Sequence, residues 1–361
     1  HEGPVWSFSL PFLIATQPNP ADGAQFISTD TETLSWETGF GAAFSYVYFG
    51  TDFDTVSNDN VPNMSQIGFD GELDLGDAGI ELEKDTTYYW RVDETDGTTT
   101  YKGDVWSFTT APPIEIEDPN LLVWYKFDEI FGDIAPDMSG YDHHATVNGA
   151  TFEVAGQVGG ALEFDGDGDH VFYQDCSFLN GLGAITVSVW VKSDVIDTDK
   201  GFYIAEDPAG QDENGMRYDT TGATAGGDDV LKLSVVSTEG NQQLESSQFL
   251  QRTEWQHYAM VWQSGEQLKF YVNGFLDTPT VNADATAGTT AGFVNLYVGQ
   301  GGKGSGSSSW DGLVDDFRIY DKALSAEEIQ LVMRGEPDLA WNPAPSNGDL
   351  AQIAEAQMLS W

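Results

Sequence analysis

WQHYAMVW (Trp255–Trp262), LKFYVNG (Leu268–Gly274) and WDGLVDDFRIYDKALSAEEI (Trp310–Ile329) decide how this chain folds. Their apolar residues recur mainly at every second position, the period of a strand with one buried face. Only the tail of the last piece changes period. Ser325 to Met333 reads as a short amphipathic helix, with Ser325 and Glu328 placed as a capping box. Working outward, the alternation returns in LVWYKFDE (Leu122–Glu129), GGALEFDGDGDHV (Gly159–Val171), ITVSVWVK (Ile185–Lys192) and NLYVGQ (Asn295–Gln300). DMSGYDHHATVNGA (Asp137–Ala150) is a polar loop punctuated by glycine. Residues 121–335 are therefore expected to form one all-β domain.

Two internal echoes organise the rest. GPVWSF at Gly3–Phe8 returns as GDVWSF at Gly103–Phe108, and Ala15–Trp36 returns without gaps as Ala340–Trp361. Self-similarity at fixed spacing marks an array of modules. VWSF closes a module and P-x-P…LSW opens one. Residues 1–10 are thus expected to end a preceding module and residues 336–361 to begin a following one, so the chain reads as a window on a longer protein. Residues 11–113 are one complete copy, and 114–120, with a proline and several acids, are a linker. Inside the copy, short alternating runs at Glu32–Trp36, Ser45–Phe49, Thr87–Asp93 and Asp104–Thr109 are rich in Tyr, Trp, Val and Phe. Turn pairs such as Asp70-Gly71 and Asp96-Gly97 separate them. That pattern predicts a small β-sandwich.

Those residues carry two resemblances. YVYFGTD (Tyr46–Asp52), YYWRVDE (Tyr88–Glu94) and GDVWSFTT (Gly103–Thr110) resemble fibronectin type III modules of bacterial, planctomycete-type, extracellular proteins. The W-x-H-Y-A-x-V-W, YVNG and G-x-V-D-D-F-R-I-Y pieces of the large domain resemble the laminin-G-like, concanavalin-type jelly roll. The fold class this implies is all-β, a fibronectin type III-like sandwich followed by a concanavalin-type jelly-roll sandwich. The jelly-roll resemblance also implies a concave face, glycan or protein ligands, and often a calcium ion near a rim.

Charge bounds the partners. The chain carries 14 basic and 59 acidic residues, a net charge of −45. Nucleic acid, which needs clustered Lys and Arg, is an unsuitable partner. No run of about 18 apolar residues offers a membrane span. Cys176 is the only cysteine, so no intrachain disulfide can form, and it reads as a small buried apolar residue.

The candidate chemistry is sparse. Retaining glycosidases need paired carboxylates, which one concanavalin-type family carries as E-x-D-x-x-E. That string is absent, and its nearest relative, Glu72, Asp74 and Asp77, lies in the small module. No enzyme is expected. In FDGDGDHV, Asp165, Asp167 and Asp169 echo an EF-hand loop, but the sixth position is His170 and the twelfth Cys176, which rejects one. A structural calcium ion is instead expected from separated acids: Asp137, Asp167 or Asp169, and Asp315 or Asp316. Adjacent Asp315 and Asp316 should face opposite ways on a strand.

Trp190, Trp255 and Trp262 sit in alternating strands and should pack in the core, while Trp310, beside the Gly- and Ser-rich 301–309, is the candidate for stacking on a ligand at the rim. His143 and His144 read as exposed turn residues. Ala205–Asp229 and Thr278–Gly292 read as long loops, where specificity tends to lie. Together these features suggest a non-catalytic structural or adhesive segment of a large secreted or cell-surface protein, able to self-assemble or to hold a glycan or surface protein. The alternative is a carbohydrate-binding appendage of a secreted hydrolase.

Overall fold

The computed structural model describes residues 12–58, 64–67, 71–206, 213–219, 230–247, 250–279, 281–301 and 308–335. The expected module fragments at 1–10 and 336–361 lie outside the described residues. The chain divides into two compact units, His1–Pro113 and Ile114–Trp361.

The first unit packs a three-stranded sheet (Thr16–Asn19, Thr33–Glu37, Glu72–Asp74) against a six-stranded one built around Thr87–Thr95. The period-two pattern of strand Val105–Thr110 is visible in its burial, with Trp106 and Phe108 inward. The two sheets meet at Leu34, Trp36, Val47, Trp90 and Phe108. Trp90 is central, edge-on to Trp106 at 4.8 Å and to Trp36 at 6.1 Å. Such aromatic pairs add about 0.5–1.5 kcal/mol beyond their buried area.

The second unit is a two-sheet sandwich. An eight-stranded sheet runs Thr151–Glu153, Ala161–Asp165, Asp311–Tyr320, Ala184–Ser193, Gln256–Gln263, Lys269–Val272, Phe275–Leu276, with Leu121–Tyr125 also paired to Asp311–Tyr320. A nine-stranded sheet runs Ile134–Ala135, Ala145–Asn148, His170–Gln174, Asn295–Val298, Gly201–Glu206, Glu213–Asp219, Val230–Ser237, Gly240–Glu245, Val281–Asn282. One core fills the space between them. Val187, Tyr258 and Phe317 come from the first sheet, and Tyr203, Leu233 and Val298 from the second. Trp190 and Trp262 are buried, as their strand patterns predict, and Trp255 is half-buried just before its strand. Cys176 is buried too, and burial pushes its thiol up to about 12, so it is an unreactive packing residue.

The helix forms at Ala326–Val332 with its capping box complete: Ser325 Oγ accepts from the Glu328 N–H, and Glu328 accepts from the Ser325 N–H. Its Ile329 and the preceding Leu324 cover Leu121, Val261 and Tyr320 on the outer side of the eight-stranded sheet.

Candidate functional site

The outer face of the nine-stranded sheet is the surface best equipped to hold a ligand. Strand register places seven residues in one row across it: Thr146, Phe172, Tyr297, Ile204, Gly215, Ser234 and Gln243. Their strand neighbours, among them Val171, Leu296, Tyr203, Met216, Leu233 and Leu244, point into the core. Six inter-strand steps of about 4.8 Å make the row roughly 29 Å long.

The row has two chemically different halves. At one end Phe172 and Tyr297 lie with ring centroids 5.0 Å apart, with His170 at 5.7 Å from Tyr297. All three are half-buried, so an aromatic platform faces outward. At the other end a shallow hollow of about 100 Å³ opens over Ile204, Gly215, Arg217, Lys232, Ser234 and Gln243. Gly215 lies in the floor of the hollow, so close to the next strand that a Cβ there would come within 2.8 Å of the Tyr203 carbonyl oxygen. Gly301 also lines the hollow and packs closely on Gly201, where a Cβ would meet Gly301 Cα at 2.1 Å.

Charged groups border the hollow in a second row. Arg217 stands opposite Lys232, and Lys232 opposite Glu245. The Lys232 ammonium pairs with Asp219 at 2.5 Å. Neither Arg217 nor Glu245 is unpaired.

Most of the acids expected to share calcium are bonded to separate protein donors. Asp137 is fully buried and accepts from the Trp124, Ser139 and His143 N–H groups and the Ser139 hydroxyl. Asp169 accepts from the Asp165 N–H, and burial, with repulsion from Asp165, pushes its carboxyl up. Asp167 is exposed and donates its own N–H to Asp165.

Asp315 accepts from the Gln157 and Val158 N–H groups at 2.7 and 2.8 Å, whereas Asp316 accepts from the Trp124 indole and from Arg318. These are separate hydrogen-bond sets. Among the described residues no group of three or more His, Cys, Asp or Glu is placed to hold a metal ion. The expected acids are not brought together into one set: donors occupy both oxygens of Asp137 and one oxygen each of Asp169, Asp315 and Asp316, while Asp167 is exposed.

Asp315 and Asp316 also correct the strand argument. Val314, Phe317 and Ile319 all belong to the core, so the intervening pair is one residue too many for simple alternation. A bulge absorbs it, with Asp316 at φ 48° and the register shifting opposite Ser188–Trp190. Both carboxylates therefore leave the core side. The bulge lies where strand Asp311–Tyr320 exchanges one partner, Ala161–Asp165, for another, Leu121–Tyr125.

Trp310 is the second correction. It is completely buried, stacked on Tyr218 and edge-on to Phe202, with its indole N–H donated to the Leu313 carbonyl. It is a core residue and cannot meet a ligand at the rim. His143 is half-buried as well, its ring 3.8 Å from Phe178 and nearly parallel to it, and His144 Nδ1 accepts the Asp137 N–H.

One pair has the look of nucleophile chemistry. Ser188 Oγ lies 2.8 Å from His257 Nε2. Both are buried, and Trp190, edge-on to His257, donates its indole N–H to Met333 after the helix. Burial, then the nearby Arg318 charge, pushes the imidazole down to about 3. A base held so weakly basic and away from solvent serves packing.

Residues 165–330 match the family described as the concanavalin A-like lectin/glucanases superfamily, and this stretch lies within the second unit. No curated protein matches the chain. Among solved structures it is similar to domain 4 of an extracellular arabinanase from Geobacillus stearothermophilus in complex with arabinotriose, at 18% identity and TM-score 0.41, covering 59% of this chain and 98% of that one. It is also similar to the binding domain of Paraclostridial Mosquitocidal Protein 1, at 16% identity and TM-score 0.43, covering 60% and 52%. A Trypanosoma rangeli sialidase, in complex with a difluorinated nononic acid, aligns at 12% identity and TM-score 0.45, covering 69% and 43%. The chain thus spans less than two thirds of the last two proteins.

Proposed function

We propose that the jelly roll with the match to the concanavalin A-like lectin/glucanases superfamily is a non-catalytic glycan-binding domain, and that its ligand lies along the row from Phe172 to Gln243. The observation that carries this reading is the pairing of an outward aromatic platform with a glycine-floored polar hollow on one sheet face. Sugar rings have an apolar C–H face, which covers aromatic surface, and an edge of hydroxyls, which needs donors and acceptors. Phe172 and Tyr297 supply the first requirement. Ser234, Gln243, Arg217, Lys232 and Glu245 supply the second. The face is open and long, which suits a polymer held along its length.

No bond-breaking step is assigned. Asp219 is tied to Lys232, and Glu245 is only 8% exposed beside the same lysine, so neither is disposed as a free acid or base. The sandwich of the first unit, with its fibronectin type III-like motifs, serves in this reading as a spacer within a secreted or cell-surface protein. The echo of Ala15–Trp36 at Ala340–Trp361 favours a second reading, an adhesive array that associates with copies of itself.

Glycan-array binding by the 361-residue chain tests the first reading. Retention of a defined set of oligosaccharides, lost on Tyr297→Ala, is expected. Cleavage of a retained sugar would refute the non-catalytic part. Sedimentation velocity tests the second, which requires species larger than one chain.

A further inference from the structure

Resting on the glycan-binding reading, the charge arrangement around the hollow narrows the ligand further, and we infer that the glycan is uncharged in the part that lies between Arg217 and Gln243. Four ionisable side chains, Arg217, Asp219, Lys232 and Glu245, occupy neighbouring positions on three adjacent strands of the outer face. Two are cationic and two anionic, so the quartet sums to zero. Lys232 is bonded to Asp219 at 2.5 Å, and Arg217 and Glu245 also have partners. The Lys232 cation is therefore answered within the protein and does not wait for an anionic ligand.

The rest of the chain points the same way. Fourteen basic residues stand against 59 acidic ones, for a net charge of −45. A polymer carrying uronate, sialate or sulfate groups would approach through a repulsive field, felt over a Debye length of about 8–10 Å at ordinary ionic strength. On arrival it would set its carboxylates beside Asp219 and Glu245. An amino sugar would be drawn in by the net negative charge, and only locally would its ammonium meet Arg217 and Lys232. Either would have to compete with the existing Lys232–Asp219 pair for its partner.

A neutral sugar needs no ion pair to break. Each hydroxyl both donates and accepts. It can give its hydrogen to Glu245 or Asp219 while accepting from Lys232 or Arg217. Ser234 and Gln243, on the adjoining row, can do both. The quartet is thus a set of two cationic donors and two anionic acceptors, tied together at the Lys232–Asp219 pair. Because that pairing already exists without ligand, little ordering remains to be done on binding.

The test uses the whole chain on a panel of neutral, acidic and amino oligosaccharides at about 50 and 500 mM NaCl, the range over which salt screening changes strongly. The neutral members should be retained, with dissociation constants that change less than about twofold between the two salt concentrations. Lys232→Met and Gln243→Ala should each weaken that binding at least about tenfold, the scale of one charged or buried polar contact, while thermal melts show the fold intact. Retention of acidic members, with affinity that falls as salt rises, would overturn the neutral-ligand inference and leave the glycan reading standing. Retention of nothing would overturn the glycan reading itself. Neutral binding unaffected by both variants would place the ligand elsewhere and overturn the role of the quartet.

Discussion

Lys232 reaches diagonally across one strand boundary to Asp219, and its immediate cross-strand neighbours are Arg217 and Glu245. This makes it the hub of the hollow. The pair is partly exposed, with side chains 23% and 16% accessible, so its contribution to stability is small, about 0–1 kcal/mol. Lys232→Met should accordingly leave the melting temperature almost unchanged. A large drop in thermal stability would show that the quartet is a structural prop.

Trp310 should behave in the opposite way. Trp310→Ala removes a fully buried indole stacked on Tyr218 and is expected to cost about 3–5 kcal/mol, read by denaturant unfolding. If stability held while ligand affinity collapsed, the residue would belong to a binding surface after all.

Asp315 yields a pH prediction. Burial, then the charge of Asp316, raises its carboxyl well above the ordinary value, so the folded chain holds this proton to higher pH than the unfolded chain does. For a raised acid, the associated stability is complete below the unfolded value of 3.8 and is lost as pH rises through the folded one. Asp315→Asn keeps an oxygen for the Gln157 and Val158 N–H groups and cannot ionise. It should be the more stable chain at pH 7–8, by roughly 1.4 kcal/mol for each unit of the raised value, and lose that advantage in acid. Unfolding curves of both chains across that range decide it, and an Asn variant less stable at pH 8 would contradict it.

His257 works in the reverse sense. Its imidazole is depressed to about 3 from 6.5, so the unfolded chain takes up a proton first as pH falls. Stability should decline between pH 6.5 and 3, by on the order of 4–5 kcal/mol for this one group. The histidine ring signals followed by NMR from pH 8 to 4 should show one that does not titrate. If every ring titrates near 6.5, His257 is not sealed as described.

Calcium makes a further check. Since Asp137, Asp169 and Asp316 are committed to protein donors and Asp315 is bonded to two N–H groups, a chelator should leave the melting temperature unmoved. A midpoint that climbs with added calcium would mean that a cation binds the folded form.

Most of the framework could be read from the chain because alternation survives wherever one face of a strand is buried. Trp262, Phe270 and Ile319 lie inward as their patterns require. The candidate site was harder to see for a definite reason. Strand Glu213–Asp219, which carries Gly215 and Arg217, lies inside a stretch of acids, glycines and threonines that reads as a loop from Ala205 to Asp229. Its buried apolar side chains are Met216 and Tyr218, and the buried Asn214 two positions earlier is polar, so no hydrophobic period is announced. Gly215, the floor of the hollow, gives no hydropathy signal at all.

Trp310 failed in the other direction. The glycines and serines before it suggested a rim, but its backbone N–H bonds to the Gly299 carbonyl and carries the indole inward. Asp315 and Asp316 misled because period two admits no bulge, and the φ of 48° at Asp316 depends on a change of partner strand that no local pattern records.

Mapping a retained oligosaccharide on the folded chain by NMR tests the central claim most directly. The account predicts backbone shifts along the row at Phe172, Tyr297, Ile204, Gly215, Ser234 and Gln243, with the sugar recovered intact. Shifts confined to the other sheet or to the first unit, or a sugar recovered in pieces, would contradict it.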